Sequence, residues 1–213
     1  MEFIDEELLK YSEAHTSDES GILKKINRET HLRVLRPRML SGHLQGRLLS
    51  MISNMIKPVT ILEIGTYTGY SAICLCEGLA AGGKLITIDK NEELEERVRA
   101  YFREAQVGDK IDFIIGNALE VIPGLDATFD FVFIDADKEN NARYFDLVID
   151  KVPVGGYILA DNVLWSGKVL DEKPDKDTRS ILEFNLKVKN DPRVENILLP
   201  FRDGIMMMRK VAS

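Results

Sequence analysis

Cysteine, histidine and tryptophan are scarce in this chain of 213 residues, which has two, three and one of them respectively. Cys74 and Cys76 lie too close together for a disulfide and are too few for a zinc site, so we expect two small buried side chains. No apolar run approaches the length of a membrane span. The acidic N-terminus, Met1 to Glu7, lacks the features of a signal peptide, and we therefore expect a cytoplasmic location.

Basic residues are also fewer than acidic ones. The formal net charge is -7, which argues against wholesale binding to nucleic acid. The basic residues are nevertheless concentrated, because residues 21–50 carry a single acidic residue, Glu29, and seven basic ones: Lys24, Lys25, Arg28, Arg33, Arg36, Arg38 and Arg47. We favour a solvated helix face or a subunit contact for this basic segment. The alternative is a surface that attracts an anionic substrate, such as RNA or a phosphorylated small molecule.

The length and a hydrophobic content of 45% suit one well-buried α/β domain over residues 1–213. Residues 1–57 are predicted to be helical, and residues 58–213 are predicted to form the α/β core. The first helix contains Leu8 to Tyr11. The second contains Ile22 to Ile26, with Ser17 or Asp18 as its cap, and the third contains Leu44 to Ile56 and ends at Pro58.

From Val59 onward, apolar strands and amphipathic helices alternate. The predicted strands are 59–64, 84–88, 111–115, 129–134 and 155–160, and the predicted helices are 70–80, 91–106, 117–122 and 139–151. This alternation indicates a parallel sheet with helices on both faces. Two further strands, 194–199 and 205–208, are joined by a short turn and are expected to pair antiparallel, which makes seven strands in all.

The turn after the first strand, Glu63 to Ser71, contains two glycines as G-x-x-x-G and lacks the third glycine of a dinucleotide fingerprint. Glu63 would repel a pyrophosphate and would suit a ligand that carries positive charge. S-adenosylmethionine, with its ammonium and sulfonium, is such a ligand, and this points to a methyltransferase. Asp89, which follows the second strand, could accept hydrogen bonds from the ribose hydroxyls of an adenosine.

Polar residues also follow the later strands, where ligands of such sheets bind. Asp135, Asp161 and Asn162 offer hard oxygen ligands, which suit Mg²⁺, Mn²⁺ or Ca²⁺ and do not suit zinc. Taken alone, Asp161 and Asn162 are better explained by a turn. Lys138 lies three residues after Asp135, so both could reach one substrate if a helix begins between them. It could act as a general base beside a bound cation, or it could be an exposed lysine at a helix start.

These motifs resemble those of the class I S-adenosylmethionine-dependent O-methyltransferases of the caffeoyl-CoA and catechol type, in particular the small bacterial members. The resemblance covers nearly the whole chain. The segments that carry it are Arg38–Gly42, Glu63–Ser71, Phe133–Lys138, Asp161–Gly167, Leu199–Pro200 and Asp203–Gly204. It implies a Rossmann-like methyltransferase fold with a seven-stranded, mostly parallel sheet, an antiparallel last strand and extra N-terminal helices. It also implies a homodimer.

The resemblance implies a role for each matching residue. Asp135, Asp161 and Asn162 match the divalent-metal ligands, Lys138 matches the proposed catalytic base, and Trp165 matches the acceptor pocket. The cofactor pocket is matched by Met39, Ser41, Glu63, Gly65, Tyr67, Ser71, Asp89, Ala118 and Asp135.

We therefore expect a metal-dependent enzyme that methylates a hydroxyl of a catechol-like small molecule. Residues 168–180 lack the tyrosines with which the plant enzymes hold coenzyme A, which argues against a CoA ester as acceptor. The basic segment keeps open a second acceptor, a modified wobble uridine of tRNA, which some bacterial relatives methylate. A third interpretation is a nucleotide-binding oxidoreductase or a non-catalytic binding module.

Overall fold

The structure is a computed structural model and describes residues 5–213. Three helices precede the first strand: α1 (Glu6–Ala14), α2 (Gly21–Arg33) and α3 (Gly42–Ile56). The predicted caps of α2, Ser17 and Asp18, are wrong. Ser20 caps this helix, because it directly precedes the first turn and its hydroxyl accepts the Leu23 N–H.

A seven-stranded sheet forms the centre of the protein. Its strands are β1 (Thr60–Ile64), β2 (Lys84–Asp89), β3 (Ile111–Ile115), β4 (Phe131–Ile134), β5 (Tyr157–Asp161), β6 (Val194–Leu199) and β7 (Ile205–Lys210). The strand order is β3-β2-β1-β4-β5-β7-β6. The first five strands are parallel, whereas β7 runs antiparallel to both β5 and β6. The predicted mostly parallel sheet with an antiparallel last strand is confirmed.

Helices cover both faces of this sheet. The later helices are α4 (Tyr70–Cys76), α5 (Glu95–Glu104), α6 (Ala118–Val121), α7 (Asn141–Ile149) and α8 (Lys176–Asn190). One apolar core contains residues of α2 to α5, and the other contains residues of α6 to α8. Neighbouring residues of β1 enter different cores, Ile61 the first and Leu62 the second, as strand alternation requires. Cys74 and Cys76 are buried and unpaired, as expected.

Helix α8 lies in a stretch of the sequence for which no helix was predicted. Its fifteen residues are mostly polar, and its buried positions are Thr178, Ile181, Phe184 and Val188. That spacing is helical, and Asp175 caps the helix by accepting the Thr178 N–H at 2.8 Å. The helical spacing and the capping residue are both present in the sequence. The apolar stripe is nevertheless narrow, and it is difficult to recognise among so many charged residues.

None of the helices within residues 5–213 combines the length and the apolar character needed to cross a membrane. The organisation of residues 1–213 as one domain stays a prediction.

Candidate active site

The carboxyl ends of three adjacent strands bring the predicted site residues to one edge of the sheet. β1 lies beside β4, and β4 lies beside β5. The glycine-containing turn follows β1, Asp135 follows β4, and Asp161 is the last residue of β5. Chain connections leave β1 and β4 in opposite directions along the sheet, and a ligand crevice forms at such a point.

A cleft opens at this edge between the turn after β1 and the segment that precedes α3. Six of the nine predicted cofactor residues line it: Met39, Ser41, Gly65, Tyr67, Ser71 and Asp135. Leu40, Thr66, Thr68 and Tyr70 complete the wall. The structure therefore joins residues that are nearly one hundred positions apart in the chain into one surface.

The two glycines of the turn are required by its geometry. Gly65 has φ +103°, and a Cβ there would lie 2.1 Å from the backbone oxygen of Asp135. Gly69 has φ +78°, and its Cβ would lie 2.7 Å from the Phe102 ring. Only glycine tolerates both the positive φ and the close approach. The spacing G-x-x-x-G thus seats the turn against β4 on one side and α5 on the other.

Glu63 does not line the cleft. Its side chain is fully buried, and it accepts a hydrogen bond from the Thr87 hydroxyl at 2.6 Å. Burial raises the pKa of Glu63 to about 8, against the opposing effect of the Ser71 and Thr87 hydroxyls. Its place in β1 explains this orientation, because residue 63 faces the same side of the sheet as Ile61, which α4 covers. Glu63 Oε1 has no hydrogen-bond partner within residues 5–213. The interpretation of Glu63 as a partner for a cationic ligand stays a prediction.

Asp89 and Ala118 lie beyond the cleft wall, at the ends of β2 and β3. Asp89 accepts the backbone N–H of Tyr67 at 2.7 Å and that of Asn91 at 2.9 Å. Each carboxylate oxygen keeps a second lone pair that a ribose hydroxyl could use. Ala118 is buried in the first turn of α6, directly after the Asn117 cap.

Tyr67 connects the turn to the N-terminal helices. Its hydroxyl lies 3.1 Å from the Leu35 carbonyl oxygen and 3.3 Å from that of Arg36. Burial raises the pKa of Tyr67 above its ordinary value. The chain then continues through Pro37 to Met39, which enters the cleft wall. This contact helps to hold the segment before α3 over the turn.

Two carboxylates, those of Asp135 and Asp161, lie near each other at the sheet edge, because they directly follow the paired residues Ile134 and Ala160 of β4 and β5. The Asp161 side chain is buried, with 4% of the residue exposed. Its pKa is raised, first because burial disfavours the charged form and second because Asp135 carries a neighbouring negative charge. A cation at this position would relieve both effects.

Lys138 supplies one such positive charge. Its Nζ lies 2.9 Å from Asp135 Oδ1, and its side chain is only 9% exposed. The residue begins a 3-10 turn that leads into α7, three positions after Asp135. The structure thus brings Lys138 and Asp135 together, as the sequence spacing predicts.

The donor set fits a hard divalent cation. It consists of the Asp135 and Asp161 carboxylates together with Asn162, whose φ of 61° ends β5 in a conformation that asparagine tolerates. Within residues 5–213, no group of three or more His, Cys, Asp or Glu side chains could hold a metal. Any metal here would therefore depend on an amide oxygen as the third protein ligand.

Trp165 lies in a tight loop directly after this set. Trp165, Ser166 and Gly167 all have positive φ. The turn between β6 and β7 holds the loop, because the Asp203 backbone oxygen accepts the Leu164 N–H at 2.9 Å and its carboxylate accepts the Ser166 N–H. Asp203 therefore fixes the loop that contains Trp165, although the two residues are far apart in the chain.

Sequence reasoning missed two residues that contact the site. Gln45 of α3 donates its side-chain N–H to Asp161 Oδ2 at 2.7 Å, and Arg202 donates to Gln45 Oε1 at 2.6 Å. A glutamine in an amphipathic helix and an arginine in a turn carry no distinctive pattern. The one available signal was the position of Gln45 beside apolar helix residues, where a polar group needs a partner.

The basic segment is only partly available to a ligand. Arg47 forms a two-pronged ion pair with Glu77, with distances of 2.8 and 2.9 Å. A shallow depression on α2 is lined by Lys24, Lys25, Arg28, Glu29, Leu32 and Arg33. The side chains of Arg33, Arg36 and Arg38 are exposed, and the last two flank the segment that enters the cleft wall.

Comparison with known proteins identifies the family. The O-methyltransferase family matches residues 13–211 of the chain. Caffeoyl-CoA O-methyltransferase 1 of Eucalyptus globulus is 37% identical over 181 residues, which cover 79% of this chain and 73% of that protein. This chain belongs to the O-methyltransferase family.

Solved structures agree with this assignment. An O-methyltransferase from Bacillus cereus in complex with S-adenosylhomocysteine has a TM-score of 0.89 and 28% identity, over 96% of this chain and 97% of that one. TomG of Streptomyces achromogenes, in complex with S-adenosylmethionine, has a TM-score of 0.88 and 28% identity, over 97% and 96%. The predictions of a methyltransferase fold and of O-methyltransferase family membership are confirmed.

Proposed function

We propose that this O-methyltransferase depends on a divalent cation and transfers a methyl group from S-adenosylmethionine to a hydroxyl of a catechol-like small molecule. One observation carries the proposal. The buried Asp161 carboxylate lies beside Asp135, and Asp135 also lines the cleft that we propose for the methyl donor. The methyl-donor cleft and the acceptor site would therefore lie on either side of Asp135.

The methyl donor would occupy the cleft between the turn after β1 and the segment before α3. Gly65 lets the backbone approach the ligand, while Tyr67 and Ser71 supply polar groups. Asp89 would accept the ribose hydroxyls, and Ala118 would border the adenine. Glu63 would contribute to the cofactor pocket from beneath the turn, where its Oε1 has no hydrogen-bond partner within residues 5–213.

Asp135, Asp161 and Asn162 would hold the cation, for which Mg²⁺ is the first choice and Mn²⁺ or Ca²⁺ are alternatives. When bound, it would supply a Lewis acid that lowers the pKa of an acceptor hydroxyl. Lys138 would take the proton from that hydroxyl at its Nζ, and Trp165 would line the acceptor pocket. The remaining task of the protein is to align donor and acceptor for direct displacement.

A modified uridine of tRNA is the second candidate acceptor. The observation in its favour is the exposed basic group Arg33, Arg36 and Arg38, which lies next to the segment that enters the cleft wall. Phosphates bind such groups in a salt-dependent manner. The family assignment favours methyl transfer over the nucleotide-binding oxidoreductase and the binding module.

A homodimer is the expected assembly. Exposed apolar side chains on two N-terminal helices support it, namely Leu32 (66% exposed) on α2 and Met51 and Met55 (62% and 79%) on α3. The cytoplasmic location stays a prediction.

A methyl-transfer assay tests the proposal. Labelled S-adenosylmethionine is supplied with a catechol, a caffeoyl-CoA ester or bulk tRNA, after chelator treatment and again after Mg²⁺ is restored. We expect catechol methylation only with Mg²⁺. Full activity in chelator would overturn the metal role. Methylation of tRNA that is lost when Arg33, Arg36 and Arg38 are replaced by Gln would support the second acceptor.

A further inference from the structure

The guanidinium of Arg202 joins two parts of the site that are distant in sequence. One of its nitrogens contacts the Ser41 backbone oxygen and lies 2.6 Å from Gln45 Oε1, and the other lies 3.2 Å from the Leu40 backbone oxygen. Leu40 and Ser41 form part of the cleft wall. Arg202 has φ 51°, a conformation that few residues other than glycine adopt. The turn between β6 and β7 therefore presents this side chain inward at some conformational cost.

Gln45 continues the connection to the carboxylates. Its side chain is fully buried, and its Nε2 lies 2.7 Å from Asp161 Oδ2. An arginine can only donate hydrogen bonds, and an ionised aspartate can only accept them. The Gln45 amide satisfies both neighbours in one orientation alone, with Oε1 toward Arg202 and Nε2 toward Asp161.

Both oxygens of Asp161 are thereby oriented. Oδ1 accepts the backbone N–H of Asn162 at 2.7 Å, while Oδ2 accepts from Gln45. Hydrogen bonds of this kind fix the direction in which a carboxylate presents its remaining lone pairs to a metal. An isolated buried carboxylate without them would rotate or take up a proton instead.

We propose that Gln45 and Arg202 are positioning residues, Gln45 orienting the Asp161 carboxylate for a divalent cation and Arg202 fixing Gln45 while holding the cleft wall at Leu40 and Ser41. The cation half of this inference rests on the proposed function. The two residues are therefore expected to differ in their effects. Replacement of Gln45 should weaken binding of the cation alone. Replacement of Arg202 should weaken binding of both the cation and S-adenosylhomocysteine, which is the product of the methyl donor.

Calorimetric titration separates these effects without an activity measurement. Mn²⁺ is titrated into the full-length protein saturated with S-adenosylhomocysteine, and S-adenosylhomocysteine is titrated into the metal-free protein. The variants are Gln45→Met, Arg202→Met and Arg202→Lys. Arg209→Met is the matched control, because Arg209 belongs to the same hairpin and its ion pair within residues 5–213 is with the exposed Glu195, at 2.8 Å.

We expect Gln45→Met to weaken Mn²⁺ binding by about tenfold or more and to leave S-adenosylhomocysteine affinity within about twofold, as for other residues that orient a metal ligand. Arg202→Met should weaken both, Arg202→Lys should restore part of each, and Arg209→Met should change neither. Unchanged Mn²⁺ affinity in Gln45→Met, with thermal unfolding like that of the wild type, would overturn the role of Gln45. A drop in both affinities for Gln45→Met that matches a loss of folded protein would equally contradict it.

Failure of the proposed function gives a different result. If the wild-type protein binds no Mn²⁺, or if Asp161→Asn leaves Mn²⁺ affinity unchanged, then Asp161 is not part of a cation site. Gln45 then has no role in orienting a metal ligand. The S-adenosylhomocysteine titrations then still decide the role of Arg202. Equal affinities in Arg202→Met and Arg209→Met would overturn its hold on the cleft wall.

Discussion

Lys138 Nζ lies 2.9 Å from Asp135 Oδ1, so the proposed base and a proposed metal ligand are ion-paired in this structure. The pair is largely shielded from solvent, since the two side chains are 9% and 20% exposed. Asp135 would hold the cation, and Lys138 would face the acceptor hydroxyl. Lys138 would have to lose a proton from its ammonium to solvent before its Nζ could accept the proton of that hydroxyl.

Replacement of Lys138 by Ala should lower kcat by about 100-fold or more, which is the usual contribution of a positioned base. Affinity for S-adenosylhomocysteine should change little, because Lys138 does not line the cleft. Steady-state kinetics over a range of pH, with calorimetry, would measure both. Lys176→Ala is the control, since Lys176 pairs with exposed Glu139 nearby. A rate equal to that of the wild type at every pH would remove Lys138 as the base.

The two proposed carboxylate ligands should behave differently when replaced. Asp135→Ala and Asp161→Ala should each reduce the rate of methyl transfer by about 100-fold or more. The reason is that a bound cation would stabilise the charge of the transition state by several kcal/mol. Only Asp135→Ala should also weaken S-adenosylhomocysteine binding, because Asp135 lines the cleft and Asp161 does not. Calorimetry with each variant tests this split, and equal cofactor affinities in the two variants would contradict it.

Gly65→Ala should destabilise the protein by about 2 kcal/mol or more, because the new Cβ would meet backbone atoms that cannot move aside easily. Gly82→Ala is the matched control. Gly82 also has positive φ, +75°, but a Cβ at that position would have no other atom within 4 Å. We expect the control to lose only about 1 kcal/mol. Urea unfolding would compare them, and equal losses would show that the contact with Asp135 is unimportant.

Glu63 should make stability fall as the pH rises. Its pKa is raised from an ordinary value of 4.5 to about 8, so the folded protein keeps a proton that the unfolded chain releases over this interval. Its contribution to the free energy of unfolding therefore declines from about pH 4.5 to pH 8 and is constant above that, with a total on the order of a few kcal/mol.

Glu63→Gln removes this titration. The variant should gain stability relative to the wild type between about pH 5 and about pH 8.5, roughly the window that the two pKa values bracket. Urea unfolding at both values measures the difference. Glu195→Gln serves as the control, because that side chain is 67% exposed. A constant difference between Glu63→Gln and wild type at the two pH values would contradict the buried-acid interpretation.

Much of the fold could be predicted because its signals are local. The strands of the parallel sheet are short apolar runs between turns, and β3 and β6 begin and end where the sequence predicts. Boundaries were harder to place where several capping residues lie together, as before α2, where Ser20 and not Ser17 or Asp18 is the cap. Helix α8 was missed because its apolar stripe is narrow and its surface is highly charged.

The sequence by itself determined the alternation of strands and helices, the G-x-x-x-G turn and the set of polar residues at the strand ends, because each depends on neighbours in the chain. The tertiary structure decided which of these face the cleft. It turned Glu63 inward, and it joined Gln45 to Asp161 across 116 positions. Such contacts depend on how strands and helices pack, and a buried polar group acquires its partner only when that packing is complete.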